Sequence, residues 1–148
     1  MSDQWQPSDP NYIKRVEDSF HQQQVMAFLG ASLVEVSPGK CLIELPFRPE
    51  LGQQNGFFHT GITSTISDSA GGYAGFTLMP KDSNVLTVEY KITLLRPAKG
   101  ERLIAIGNVI KAGRNLVFTQ VDVLIQRQNS EPVLCAQMSQ TLTSVIVD

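Results

Sequence analysis

Cysteine is scarce in this sequence. Cys41 and Cys135 are the only two, and each lies inside an apolar run. That excludes a disulfide framework and provides no metal-ligand spacing, so both read as small buried side chains of a reducing compartment. Positive charge is not in excess either: 12 Lys and Arg against 14 Asp and Glu leave a formal net charge of −2. This removes the electrostatic basis for binding nucleic acid, and any site for an anionic ligand must be a local cluster of Lys and Arg. No apolar run reaches the roughly 18 residues that span a bilayer. The polar start MSDQWQPSDPN lacks the charged-then-apolar order of a secretory signal. The expectation is a cytoplasmic protein with neither nucleic acid nor membrane among its partners. A chain of 148 residues fits one domain, spanning 1–148, with enough length to bury a sizeable core.

Met1 to Asn11 holds two prolines and few apolar positions, and reads as a loose arm. From Tyr12 to Phe28, Ile13, Val16, Phe20, Val25 and Phe28 recur at helical spacing, and Gly30 supplies a stop. Strands are expected at Ser32–Val36 and Lys40–Phe47, divided by a Pro38-Gly39 turn. After the loop Gly52–Phe58, the segment His59–Met79 has no Lys, Arg, Glu or Pro and ends at Pro80. Ile62, Ile66, Ala70, Tyr73 and Phe76 form an apolar stripe along it; Ser64, Asp68, Gly71 and Gly75 form a stripe of small residues that leaves room for a substrate. A helix without long charged side chains belongs inside. Glycine costs a helix about 1 kcal/mol relative to alanine, so its three closely spaced glycines require tertiary contacts in return. Val85–Arg96 then alternates, with Leu86, Val88, Tyr90, Ile92 and Leu94 opposite Thr87, Glu89, Lys91 and Thr93. Strands Arg102–Ile110 and Leu116–Gln126 flank the link Lys111-Ala112-Gly113-Arg114, and a last strand covers about Val133 to Val147. The class is α+β, an antiparallel sheet wrapped around one long buried helix.

Three polar features converge on that helix: Gln53 before it, His59 and Thr60 at its start, and Asp68 inside it. His59 has a plain alternative as a helix cap, and Gln53 as a solvated loop residue. Asp68 is harder to explain structurally. Aspartate is a poor residue for a helix interior, and burying its charge without a partner costs several kcal/mol or forces protonation. Asp68 stands nine positions after His59, an advance of about 13–14 Å with about 900° of rotation, which puts them on opposite faces. If both serve one site, a second subunit running antiparallel must complete it, and the protein must be at least a dimer.

The segment resembles the hotdog-fold thioesterases of the phenylacetate-type (PaaI-like) and 4-hydroxybenzoyl-CoA thioesterase superfamily. Their pattern is Asn or Gln, five residues, His-Gly-Gly, and an acid nine residues after the His; here it reads Gln53, His59-Thr60-Gly61 and Asp68. LTVEYKITLLRPAKGERLIAIGNVIKAGRNLVFTQVDVLIQ is similar to the family's central strands and LCAQMSQTLTSV to its closing strand. The likeness covers about residues 20 to 145. One departure is Thr60, which stands where the family has its first glycine.

The resemblance implies a hotdog fold and hydrolysis of acyl-CoA in a homodimer or homotetramer, with no cofactor beyond the CoA of the substrate. It assigns Asp68 as general base or nucleophile. The backbone N–H groups of Thr60 and Gly61 would polarise the carbonyl, with Gln53 orienting that carbonyl or the attacking water and Thr87 close to the acid, although Thr87 on the polar face of its strand also reads as solvent-exposed. Lys111 and Arg114 would hold CoA phosphates, with Arg96 and Lys91 as further candidates against a background of ordinary solvated charge. An acyl-CoA-binding sensor and a hotdog dehydratase or hydratase are the alternative readings; a purely structural β-protein would leave Asp68 unexplained.

Overall fold

The computed structural model describes residues 4–146. Six antiparallel strands form one sheet: β1 (Ser32–Ser37), β2 (Lys40–Pro46), β3 (Asn84–Leu94), β4 (Arg102–Ala112), β5 (Leu116–Gln126) and β6 (Val133–Val145). Their order across the sheet is β1-β2-β4-β5-β6-β3, which leaves β3 at one edge. Among the described residues three α-helices accompany it, with a 3-10 turn at Pro49–Leu51: α1 (Tyr12–Gln22), α2 (Gln24–Leu29) and the long α3 (Thr60–Phe76), around which the sheet curves. The expected α+β arrangement is therefore the observed one. No helix among the described residues is long and apolar enough to cross a membrane.

The apolar stripe of α3 does what its spacing implies. Ile66, Ala70, Tyr73 and Phe76 are buried, against Ile43, Leu103, Val121, Met138 and other core side chains of the sheet. Burial of each large apolar side chain contributes about 1.5–3 kcal/mol. The helix C-terminus ends inside, where its free carbonyls need donors. Arg15 of α1 supplies them, donating to the carbonyls of Phe76 (2.7 Å), Met79 (2.9 Å) and Pro80 (2.6 Å) while its guanidinium stacks on the Phe76 ring.

The stripe of small residues has a different purpose from the one its composition suggests. Gly71 and Gly75 face the sheet and leave no space for a substrate. A Cβ on Gly71 would collide with Gln140 and sit 2.9 Å from Thr119 and Val121; on Gly75 it would strike Leu142. These glycines let α3 approach β5 and β6. Gly72, one residue on, meets nothing within 4 Å. Gly71→Ala is therefore expected to lower stability by about 1–3 kcal/mol through overpacking. Gly72→Ala should leave it unchanged or raise it by up to about 1 kcal/mol through helix propensity. Urea denaturation of the two variants checks this, and equal midpoints would refute the packing argument.

Further sequence expectations need correction. The helix expected from Tyr12 to Phe28 is broken at Gln23, whose backbone is extended (φ −77, ψ 98). Phe20 and Met26 are both buried, but a continuous helix would separate them by about 240°, so the break re-aims α2 at the core. The arm before Asn11 is not loose where it is described (residues 1–3 lie outside). Trp5 packs over Gly39, a turn glycine at φ 72, and Asp9 is buried 3.6 Å from Arg15. Finally, β3 does not alternate cleanly. A bulge between Thr87 and Glu89 shifts the register against β6, and a one-residue shift moves side chains to the other face. Thr87 then shares a face with Tyr90, Ile92 and Leu94, paired with Leu142, Gln140, Met138 and Ala136, whereas Leu86 falls on the side of Glu89 and Lys91. Of the last strand expected to Val147, β6 ends at Val145, and residue 147 lies outside the described residues.

Candidate active site

The start of α3 leaves one backbone donor free. His59 is the N-cap: its Nδ1 accepts from the Gly61 N–H at 2.9 Å, and its carbonyl accepts from Ile62 (2.9 Å) and Thr63 (3.2 Å). Of the four N–H groups a helix start exposes, only that of Thr60 has no acceptor among the described residues. The expected pair of donors, Thr60 and Gly61, is thus reduced to Thr60 in this state, because the cap occupies Gly61. With Nδ1 accepting, a neutral His59 ring carries its proton on Nε2 and presents a second donor there. Thr60 lines a cavity of about 500 Å³ with Gln53, Phe57, Phe58 and Arg96. Gln53 Oε1 accepts from the Asn55 N–H, which ties the side chain to its own turn.

Asp68 lies in a second, smaller pocket of about 150 Å³, shared with Gln23, Ser69, Gly72, Tyr73 and Thr87. The carboxyl is half-buried, and its Oδ1 accepts two short hydrogen bonds, from Thr87 Oγ1 (2.6 Å) and Gln140 Nε2 (2.6 Å). Gln140 Nε2 also reaches the Asp68 carbonyl (3.1 Å), and Gln140 Oε1 accepts from Thr119 Oγ1 (2.8 Å). No described residue donates to Oδ2. Thr87 is solvent-exposed, but not on the polar face expected for it: it pairs with Leu142 on the helix side of the sheet, where its hydroxyl donates to Asp68. Sequence reasoning missed Gln140 and Thr119. The signal was present: each is the lone polar residue at a buried position of its strand, among Ala136, Met138 and Leu142 on β6 and Val117, Val121 and Val123 on β5.

The cysteines do not compete as nucleophiles. Burial pushes the Cys41 thiol up to about 12 and the Cys135 thiol up to about 11, so both stay protonated at neutral pH, and the thiolate is the reactive form. Among the described residues no cluster of His, Cys, Asp or Glu could hold a metal ion.

One protomer does not bring all the expected residues together. Gln53, Thr60 and Arg96 line the larger cavity, with His59 and Gly61 at the same helix start; Asp68 and Thr87 line the smaller pocket. Lys111 and Arg114 are exposed at the β4–β5 hairpin. Leu116, just after that hairpin, lies opposite Thr143 and hence at the level of Leu86, whereas Arg96 follows Leu94 at the other end of β3. Eight strand residues make that separation on the order of 25 Å. Lys91 lies on the sheet face turned away from the helix, beside Phe118 and Ser139.

Comparison with known proteins supplies the class. The family model described as "Thioesterase superfamily" matches residues 55–131, more than half of the chain. The crystal structure of a thioesterase family protein from Silicibacter pomeroyi superposes with a TM-score of 0.89 at 43% identity, covering 92% of this chain and 99% of that one. Human (Homo sapiens) acyl-coenzyme A thioesterase 13 is 32% identical over 93 residues, 62% of this chain and 66% of the human protein. The PaaI protein of E. coli, from the phenylacetic acid degradation operon, shares the fold at 15% identity, with a TM-score of 0.81 over 91% of this chain and 94% of that one. A sheet curved around a central helix, together with these likenesses, defines a hotdog-fold thioester hydrolase. The chain belongs to the thioesterase superfamily.

Proposed function

We propose that the protein hydrolyses the thioester of an acyl-CoA, releasing a free acid and CoA, at sites shared between two protomers. The observation that carries this reading is the division of the chemistry: a braced carboxylate in one pocket, and a free helix N-terminal donor in another. Edge strand β3 supports the pairing. It is 11 residues long and exposes Leu86, Val88, Tyr90 and Leu94, the kind of edge that isolated proteins blunt or cover. Joining two such edges antiparallel about a two-fold axis sets the Thr87 end of one strand beside the Leu94 end of the other. Asp68 of one protomer then faces the Thr60 cavity of its partner. The hairpin with Lys111 and Arg114 moves toward that same cavity, where their charges would meet CoA phosphates alongside Arg96.

In this arrangement the thioester oxygen accepts from the Thr60 N–H, with Gln53 orienting it. A free donor at a helix N-terminus suits the negative charge that develops on that oxygen. Asp68 acts in one of two ways. As general base, it takes a proton from water while the water oxygen attacks the carbonyl carbon; the C–S bond then breaks, and the proton passes to the departing CoA sulfur. As nucleophile, its own oxygen attacks, expels CoA thiolate and forms an acyl anhydride that water cleaves. Neither route needs a cofactor. Two free cysteines suit a cytoplasmic, reducing setting.

A panel of acyl-CoAs, from short and aromatic to long chains, tests the reading with thiol release as the readout. Turnover of at least one member is expected, with a preference set by the apolar walls of the cavity. Tight binding across the panel without thiol release would overturn it.

A further inference from the structure

We infer that Gln140, braced by Thr119, is a positioning residue that clamps the Asp68 carboxylate to its own main chain and leaves Oδ2 as the reacting oxygen. The inference rests on the reading of Asp68 as the reacting carboxylate. Gln140 stands on β6 where every second residue enters the core: Ala136, Met138 and Leu142 are buried, and Gln140 is itself only 3% exposed. A primary amide at such a position is costly unless both its ends are paired. Its NH₂ group has two hydrogens, and both have acceptors on one residue, Asp68 Oδ1 at 2.6 Å and the Asp68 carbonyl at 3.1 Å.

Those two acceptors fix which way the amide points, because its oxygen turned toward them would face like partial charge. Thr119, also 3% exposed, completes the relay by donating to Oε1 at 2.8 Å. Thr119 and Gln140 are direct cross-strand partners, so the sheet register itself sets this contact. Gly71 contributes by absence, since a side chain there would displace Gln140.

The chemical consequence concerns the two oxygens of one carboxylate. Oδ1 receives the Thr87 hydroxyl as well as the Gln140 amide, so its lone pairs are engaged and it has no place for a proton. A proton taken from water, or a bond formed to the acyl carbon, therefore falls to Oδ2. The relay holds that oxygen at one place relative to helix α3. Placement matters because a shift of about 1 Å at a reacting atom costs about 100-fold in rate.

The test measures kcat and KM with the acyl-CoA turned over best in the panel, for wild type and for Gln140→Met, Thr119→Val, Thr119→Ser, Asp68→Asn and the double variant Gln140→Met/Thr119→Val. Gln140→Met should lower kcat by about 10- to 100-fold while leaving KM within about twofold, because substrate contacts are untouched. Thr119→Val should cause a smaller loss, about 5- to 10-fold, and Thr119→Ser should restore wild-type kcat. The double variant should be no slower than Gln140→Met, since Thr119 acts only through Gln140. A Gln140→Met enzyme with wild-type kcat, or losses that multiply in the double variant, overturns the relay. Should Gln140→Met fail to fold, the Thr119→Val and Thr119→Ser pair decides alone. Full activity in Asp68→Asn brings down the underlying reading instead, whereas an inactive Asp68→Asn beside a fully active Gln140→Met removes only the relay.

Discussion

Asp68→Asn is expected to fold like the wild type and to lose acyl-CoA turnover by a factor of about 10² to 10⁴, the range typical of a removed general base. The fold should survive because the amide fits the network. Its oxygen can take the Oδ1 position and accept from Thr87 and Gln140, and the two donors force that orientation. The NH₂ group then occupies the Oδ2 position, where it can neither accept a proton from water nor attack a carbonyl. Substrate binding should be little changed, since in the proposed arrangement the carbonyl is held by the partner's helix start. The loss should therefore appear in kcat, with KM nearly constant. Thiol release at the wild-type rate from this variant would remove Asp68 from the mechanism.

The second large effect concerns the donor. Thr60→Pro is expected to retain the fold and to lose about 10² to 10³ in kcat, the cost of one oxyanion donor. Thr60 is the first residue of α3, the helix position that proline tolerates best, and its N–H makes no bond that the fold requires. His59 before it is extended (φ −63, ψ 137), the conformation proline demands of its neighbour. The substitution thus removes the N–H, exchanges the cavity-lining Thr60 side chain for the proline ring, and keeps the helix start. Combining it with Asp68→Asn tests the shared site. When the two inactive variants are mixed, unfolded and refolded together, half the dimers are mixed, and each has one of two sites with both halves intact. About a quarter of wild-type activity should return. If the carboxylate and the donor came from the same chain, no dimer would hold an intact site, and mixing would restore nothing.

Much of this was legible from residue order. The apolar period of His59–Met79, with Pro80 behind it, marked the buried helix, because a 3.6-residue repeat without long charged side chains has only the interior to occupy. The strands were legible to within a few residues because turns such as Pro38-Gly39 and the link around Gly113 use residues with specific backbone preferences. Asp68 was noticed because a carboxylate in a helix interior conflicts with its surroundings. Gln140 escaped because a single glutamine in a strand is unremarkable until its buried neighbours are known. Gly71 was misread for a related reason: a small residue leaves space, but only the packed structure says what fills it.

Residue order alone, then, determined the strands, the helix that must be buried and the carboxylate that needs an explanation, since periodicity, capping and turn chemistry are local properties of the chain; the break at Gln23 between α1 and α2 was not among them. Tertiary structure alone decided which oxygen of Asp68 is free, that the β3 bulge turns Thr87 toward it, and that its pocket is separate from the Thr60 cavity. Those outcomes depend on register between strands far apart in sequence, where a shift of one residue reverses every side chain.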